Sequence, residues 1–389
     1  MTDQSSGPAQ RASLHPITGG AVLFDDAEGR LYALNPAAGL TWLCIAQGLS
    51  QHESTLVLAD TFEIDSSMAA EWFRVSMTKF QDLGLFESGE AKTRTPVARN
   101  ALAGSGMKGS LRSTQREYRL LDQIVRVSAP DEPLTAIESL LGTLRFSTNC
   151  NQRALPRIEI NVVPRGERWD ITLDEDIEAT CDTDLIVAEV ERVLVQRIVP
   201  GTPHLLTFHA AALQRQGRTL LLAGPSGAGK TTLSLALTRA GWCFGSDEIV
   251  LLGGGRDMRA LPLPPCIKED SLSLIEPWFP ELRAAPKHRR YGHTVKYLPI
   301  ASTSATFPAS HGSVVFLRFD PCGQNEIKAV DQFVALERLL AQCIFVPPGF
   351  QHCDVEQLLL WHAEQSYFDM SFRDCDAAVT ILTSNAAKA

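Results

Sequence analysis

The chain has nine cysteines among 389 residues, yet no two form a C-x-x-C pair and none stands at zinc-ligand spacing from a histidine. That excludes a short-motif zinc module. The odd, scattered set reads as reduced, mostly buried thiols of a cytosolic protein. No run of about 18 apolar residues exists, and the N-terminus lacks a charged-then-apolar signal, so we expect a soluble, cytoplasmic chain with no membrane partner. Basic excess is missing too: 36 Lys and Arg face 45 Asp and Glu, a net charge of −9. A general nucleic-acid binder would need a basic face, so no nucleic-acid partner is expected. Internal repeats and low-complexity tracts are absent. What remains is ordinary globular composition, 44% hydrophobic and 21% charged, on a chain long enough for two or three domains.

Charge is unevenly spread. Residues 1–90 carry four basic side chains against twelve acidic, whereas residues 91–116 carry six basic and no acidic ones. The second stretch, rich in Pro, Gly, Ser and Thr, has linker composition; 89–115 is read as a basic flexible linker, either a solvated tether or one that docks on an acidic surface. Before it, 1–15 is polar and expected to be disordered, and 16–88 forms a compact unit. Ala21–Phe24 and Leu31–Leu34 read as strands of a hairpin. Helices follow over Pro36–Gln47, with Asn35 as cap, over Ser54–Phe62 and over Ser67–Leu83. Two strands and three helices suggest a winged-helix-like α+β module. The rest, 116–389, is read as one domain: a strand and helix lead-in over 116–200, with strands at Arg119–Val127, Arg157–Val163 and Trp169–Leu173 and a helix at Asp184–Val199, then a core over 201–389.

That core holds the strongest motif. Gly224-Pro225-Ser226-Gly227-Ala228-Gly229-Lys230-Thr231 fits G-x-x-x-x-G-K-[ST], preceded by the apolar run Thr219–Ala223 and followed, through Thr232, by a helical stretch closed by Gly241. Strand, loop and helix are the context a phosphate-binding loop requires. Its backbone N–H groups close round the β-phosphate, Lys230 reaches the β/γ oxygens, and the Thr231 hydroxyl holds Mg²⁺. The cofactors expected are ATP, or GTP, and Mg²⁺. Three further groups narrow the chemistry. His209 lies on the preceding strand and reaches the loop mouth if the two strands are neighbours; otherwise it is an ordinary core histidine. Asp247 and Glu248 follow the helix, where an α/β sheet returns its strand ends to the phosphates. A carboxylate there holds the metal or takes the proton of an attacking hydroxyl. Adjacent strand residues face opposite ways, which would leave only one of the pair in the site.

The runs Phe208–Leu213, Leu220–Leu233 and Gly241–Glu248 resemble the HPr kinase/phosphorylase family and its kinase relatives. The resemblance implies an α/β P-loop kinase core related to phosphoenolpyruvate carboxykinase, with His209 near the phosphates, Lys230 on them, Thr231 and Asp247 on Mg²⁺, and Asp247 or Glu248 as base. It also admits a homo-oligomer. Two departures stand out. The acidic pair is Asp-Glu instead of Asp-Asp, and the Glu-Ile-Arg-Gly signature of the bifunctional enzymes is missing, which argues against phosphorylase activity and against HPr as substrate. In its place stand Leu261–Cys266 with Lys268, then Arg289, Arg290, Tyr291, His293, Lys296 and Tyr297, a basic loop that either clamps the transferring group or is simply solvated.

Residues 16–88, through Leu31–Ala38, Thr41-Trp42 and Leu83–Phe86, resemble the PqqD family of peptide-recognition elements. That resemblance implies β-augmentation by a precursor peptide. The surface expected for it is the strand carrying Val22 and Leu23, with Trp72, Val75 and Lys79 on the third helix; the alternative is that Trp72 and Val75 belong to that small unit's own core. Together the two resemblances imply a serine/threonine kinase acting on a ribosomally made precursor peptide or small protein. The alternatives are a nucleotide-gated peptide chaperone without phosphotransfer and a kinase regulating a folded cytosolic protein.

Overall fold

The computed structural model describes residues 12–26, 28–86, 112–146, 155–255, 257–300, 306–308 and 312–386. It is a mixed α/β chain with several sheets. Contacts divide it into two compact units, one comprising Met1–Ala103 with Val330–Glu364, the other Gly104–Ala329 with Gln365–Ala389. The sequence boundaries 16–88 and 116–389 do not contain this division, because they leave 330–364 inside the second stretch. Most of the expected linker lies outside the described residues.

The first unit begins with β1 (Ala12–Ile17), β2 (Gly20–Asp25) and β3 (Arg30–Leu34), an antiparallel sheet in that order. The expectation of disorder over 1–15 therefore fails from Ala12 on, where six residues pair with β2. Next come α1 (Pro36–Ala46), α2 (Gln51–Phe62) and α3 (Ser66–Asp82). Asn35 caps α1 by accepting from the Ala38 N–H at 2.8 Å, and Ser50 with Glu53 forms a capping box on α2. Leu23, Leu34, Trp42 and Phe80 fill the helix face of the sheet. Val22 and Phe24 point to the opposite face, where Leu336 and Val355 complete a second cluster. These come from α8 (Gln332–Leu340) and α9 (His352–Ala363), which flank the short β20 (Cys343–Phe345). The sheet is thus covered on both faces, and three consecutive residues, Val22, Leu23 and Phe24, are all fully buried. The expected winged-helix-like form is not established by this layout of sheet between two helical layers.

Among the described residues the second unit carries three sheets. β4 (Thr114–Leu120), β5 (Gln123–Ala129), β6 (Arg157–Arg165), β7 (Arg168–Leu173) and β8 (Asp176–Cys181) form one in sequence order, with α4 (Asp131–Leu141) and α5 (Ile186–Ile198) packed on it. The single strand expected over 119–127 is a hairpin, turning at Leu121, whose φ of 51° is left-handed. The main sheet takes its strands from β9 (Leu206–Arg215), β10 (Arg218–Ala223), β11 (Cys243–Ser246), β12 (Ile249–Leu252), β13 (Asp257–Ala260), β17 (Thr306–Pro308), β18 (Ser313–Phe319), β19 (Glu326–Ala329) and β21 (Ser366–Phe372). Its order is β17-β13-β12-β9-β10-β18-β21-β19, with β11 also pairing β9. α6 (Lys230–Arg239) and α10 (Cys375–Ala386) bury Leu233, Leu237 and Leu382 against Leu222, Val315 and Met370. Beside it, β14 (Cys266–Lys268), α7 (Glu269–Ile275), β15 (His288–Arg290) and β16 (His293–Tyr297) make a small antiparallel flap, its sheet ordered β14-β16-β15. Among the described residues no helix is long and apolar enough to cross a membrane.

Candidate active site

β10 ends at Ala223 and α6 begins at Lys230, so the motif occupies the turn between a central strand and a helix N-terminus. The turn needs its glycines. Gly224, Gly227 and Gly229 all have left-handed φ, and a Cβ on Gly229 would stand 2.7 Å from Cζ of Phe372. Lys230 is folded back over the loop, its Nζ donating to the carbonyls of Gly224 at 2.7 Å and Pro225 at 3.2 Å. Burial lowers its pKa, while Asp247 and Glu248 pull it back up. The Ala228 methyl packs into the core.

β9 lies antiparallel to β10 and extends past its end, so His209, one residue beyond the Ala210–Ala223 pair, reaches the loop mouth. The two strands are neighbours, and His209 lines the same cavity as Lys230. Burial first, and Lys230 second, lower its pKa, which favours the neutral imidazole. β11 and β12 run along β9 as one interrupted edge, broken at Gly245 and again at Asp247 and Glu248. That break resolves the facing problem. Both carboxylates line the cavity, because neither sits in a regular strand. Asp247 accepts from the Thr231 hydroxyl at 2.7 Å. It is buried, and burial with the neighbouring Glu248 pushes its pKa up to about 6.

Glu248 takes a different partner. Nη2 of Arg290 donates to both its oxygens, at 2.9 and 3.0 Å, and also to Glu191 at 2.9 Å. Glu191 accepts a second bond from the Tyr297 hydroxyl at 2.7 Å, and burial raises its pKa to about 7. Burial works against the Arg290 charge, but Glu191 and Glu248 raise its pKa overall. The basic loop thus splits. Arg290, Tyr291 and His293 line the cavity, as does Lys268, whereas Arg289 is exposed on Asp184 and Lys296 donates to the carbonyl of Leu282. Glu191 escaped the sequence reading because it sits on what reads as the polar face of α5. The only available signal was its position amid Val187, Val190 and Leu194, all buried.

The cavity encloses about 630 Å³, within the range of small-molecule sites. Ser226, Gly227, Gly229, Thr231 and Thr232 line its floor. Among the described residues no group of three or more His, Cys, Asp or Glu is placed to hold a metal. The Thr231–Asp247 pair suits Mg²⁺, which takes one or two protein ligands and fills its shell with phosphate oxygens and water.

No family model matches this chain. No curated protein matches it either. Among solved structures it is similar to the HPr(Ser) kinase/phosphatase from Coxiella burnetii, at 13% identity over 47% of this chain and 97% of that one, with a TM-score of 0.23. A likeness that slight carries no functional weight, so any reaction must be argued from the cavity itself.

The peptide surface needs correction. Val22 and Leu23 are fully buried on β2, the central strand, whose backbone is paired on both sides, so neither can receive a further strand. Trp72 is half-buried edge-on against Phe62, at 5.5 Å between ring centroids. Val75 and Lys79 are exposed on α3.

The Glu191–Arg290–Glu248 bridge makes its own prediction. Arg290→Met leaves Glu191 buried beside Tyr297 alone, and should cost about 3–5 kcal/mol of stability. Adding Glu191→Gln should recover most of it, because the stranded charge is gone. Urea unfolding of the single and double variants reads this; simple additivity would show the bridge is idle.

Proposed function

We propose that the protein is an ATP-dependent phosphotransferase that acts on a serine or threonine hydroxyl of a peptide or small protein. The observation that carries the reading is the Thr231–Asp247 hydrogen bond at the base of a phosphate loop, with Lys230 and Glu248 on the same cavity. In this reading the loop amides and Lys230 hold the β- and γ-phosphates, and Lys230 gives up the Gly224 and Pro225 carbonyls to do so. Mg²⁺, when bound on Thr231 and Asp247, neutralises charge developing on the phosphate oxygens. The acceptor hydroxyl attacks the γ-phosphorus, the bond to the β-phosphate oxygen breaks, ADP leaves, and the hydroxyl proton passes to Glu248. Glu248 must first be released by Arg290, whose guanidinium is then free to pair with phosphate oxygens.

Capture of the substrate is assigned to the first unit, as the PqqD resemblance implies. With β2 closed, the backbone edges that would accept a peptide strand are those of β1 and β3, and Val75 and Lys79 are exposed separately on α3. Carrying both functions on one chain raises the local concentration of acceptor at the kinase.

Incubating the protein with Mg²⁺, γ-labelled ATP and short Ser- and Thr-containing peptides encoded beside its gene tests this. Label on one peptide, absent with Lys230→Ala, is the expected outcome. A second reading, nucleotide-gated peptide binding without transfer, is favoured by the engagement of Glu248 with Arg290. Peptide affinity that changes with ATP while no label appears would select it.

A further inference from the structure

Sheet order fixes how a triphosphate lies in the loop. Thr231 and Asp247 stand on the β9 and β12 side of β10, so the β/γ end points that way. The rest of a nucleotide must leave on the other side, over the carboxyl ends of β18 and β21, which run parallel to β10. Phe319 closes β18 there. Ala223 pairs with Phe316, so Phe319 stands about 10 Å further along the strand direction, above the loop. The residue is 46% exposed, yet it lines the cavity.

Phe319 is also held in place. It is the register partner of Phe372, and the two rings meet edge to face at 5.5 Å and 62°. Phe372 is buried against Gly229 of the loop itself. Past the strand end, the Asp320 N–H donates to the Phe372 carbonyl at 2.9 Å. A large ring wetted at the lip of a phosphate cavity, while braced from behind, leaves one face open for stacking.

We propose that Phe319 is the stacking platform for the nucleobase of the bound triphosphate. The proposal rests on reading the loop as a triphosphate site and adds the base subsite to it. Stacking uses the face that every base has, so the platform favours the larger purines and accepts ATP and GTP within a few-fold of each other.

Calorimetric titration with Mg²⁺ present, using ATP, GTP and inorganic tripolyphosphate, tests it on the full chain. Phe319→Ala should weaken ATP and GTP by about 10-fold and leave tripolyphosphate unchanged, and Phe319→Tyr, which keeps the ring, should bind ATP like the parent. Equal loss for ATP and tripolyphosphate would mean that the ring only shapes the loop, and no loss for either would mean that the base lies elsewhere; both overturn the proposal. Failure of the underlying reading looks different: the unaltered protein would then bind neither ATP nor tripolyphosphate.

Discussion

Asp247→Asn should give a protein that resists unfolding better than its parent and transfers almost no phosphate. Asp247 is buried, lies next to Glu248, and has its pKa pushed from 3.8 up to about 6. The folded state therefore holds this proton more tightly than the unfolded chain does. Below about pH 4 both states are protonated and the group costs nothing. Between pH 4 and 6 the unfolded chain ionises first, so stability falls; above pH 6 the full penalty stands, on the order of 3 kcal/mol. Asparagine removes that penalty, and its carbonyl still accepts from Thr231. The gain in urea midpoint should be largest at pH 8 and vanish near pH 4. In the proposed reaction transfer, by contrast, needs the negative charge for Mg²⁺ and should drop about 1000-fold. A stabilised variant that still phosphorylates would take the metal role away from Asp247 and leave Glu248 as its holder.

Lys230→Ala should be nearly as severe. Its ammonium bridges the Gly224 and Pro225 carbonyls and so braces the loop. In the proposed reaction the same group, on the cavity wall, pairs with phosphate oxygens that gain charge in the transition state. Losing both roles should cut transfer about 1000-fold and weaken ATP by 10- to 100-fold, while peptide affinity stays as it was. ATP titration and label transfer, measured on one preparation, separate the effects. Persistent transfer would place the reacting phosphate outside this loop.

The loop was legible because its chemistry is local: a glycine pattern, one lysine and one hydroxyl between a strand and a helix. Asp247 and Glu248 were visible as a pair, but the break that turns both inward depends on how two short strands share β9. Glu191 was hidden by the rule that charged helix positions face water, a rule a buried arginine and tyrosine can suspend. The hairpin at Leu121 carries neither Gly nor Pro at its turn, so 119–127 read as one strand. In the first unit the apolar run Ala21–Phe24 does not alternate, a sign of cover on both faces. Even so, nothing local in the sequence says that α8 and α9 supply the second cover.

That split core has a consequence for how the chain is made. A ribosome releases β2 early, but Leu336 and Val355, which seal the Val22 and Phe24 face, emerge roughly three hundred residues later, after a costly long-range closure. Until then one face of the nascent sheet stays greasy and unsealed. Any substrate capture that relies on this sheet would become competent only once translation had passed α9, with just β21 and α10 of the second unit still to come, and a product terminated before α9 would compete poorly for peptide. The fold would then act as a check that the chain has been made at least as far as α9.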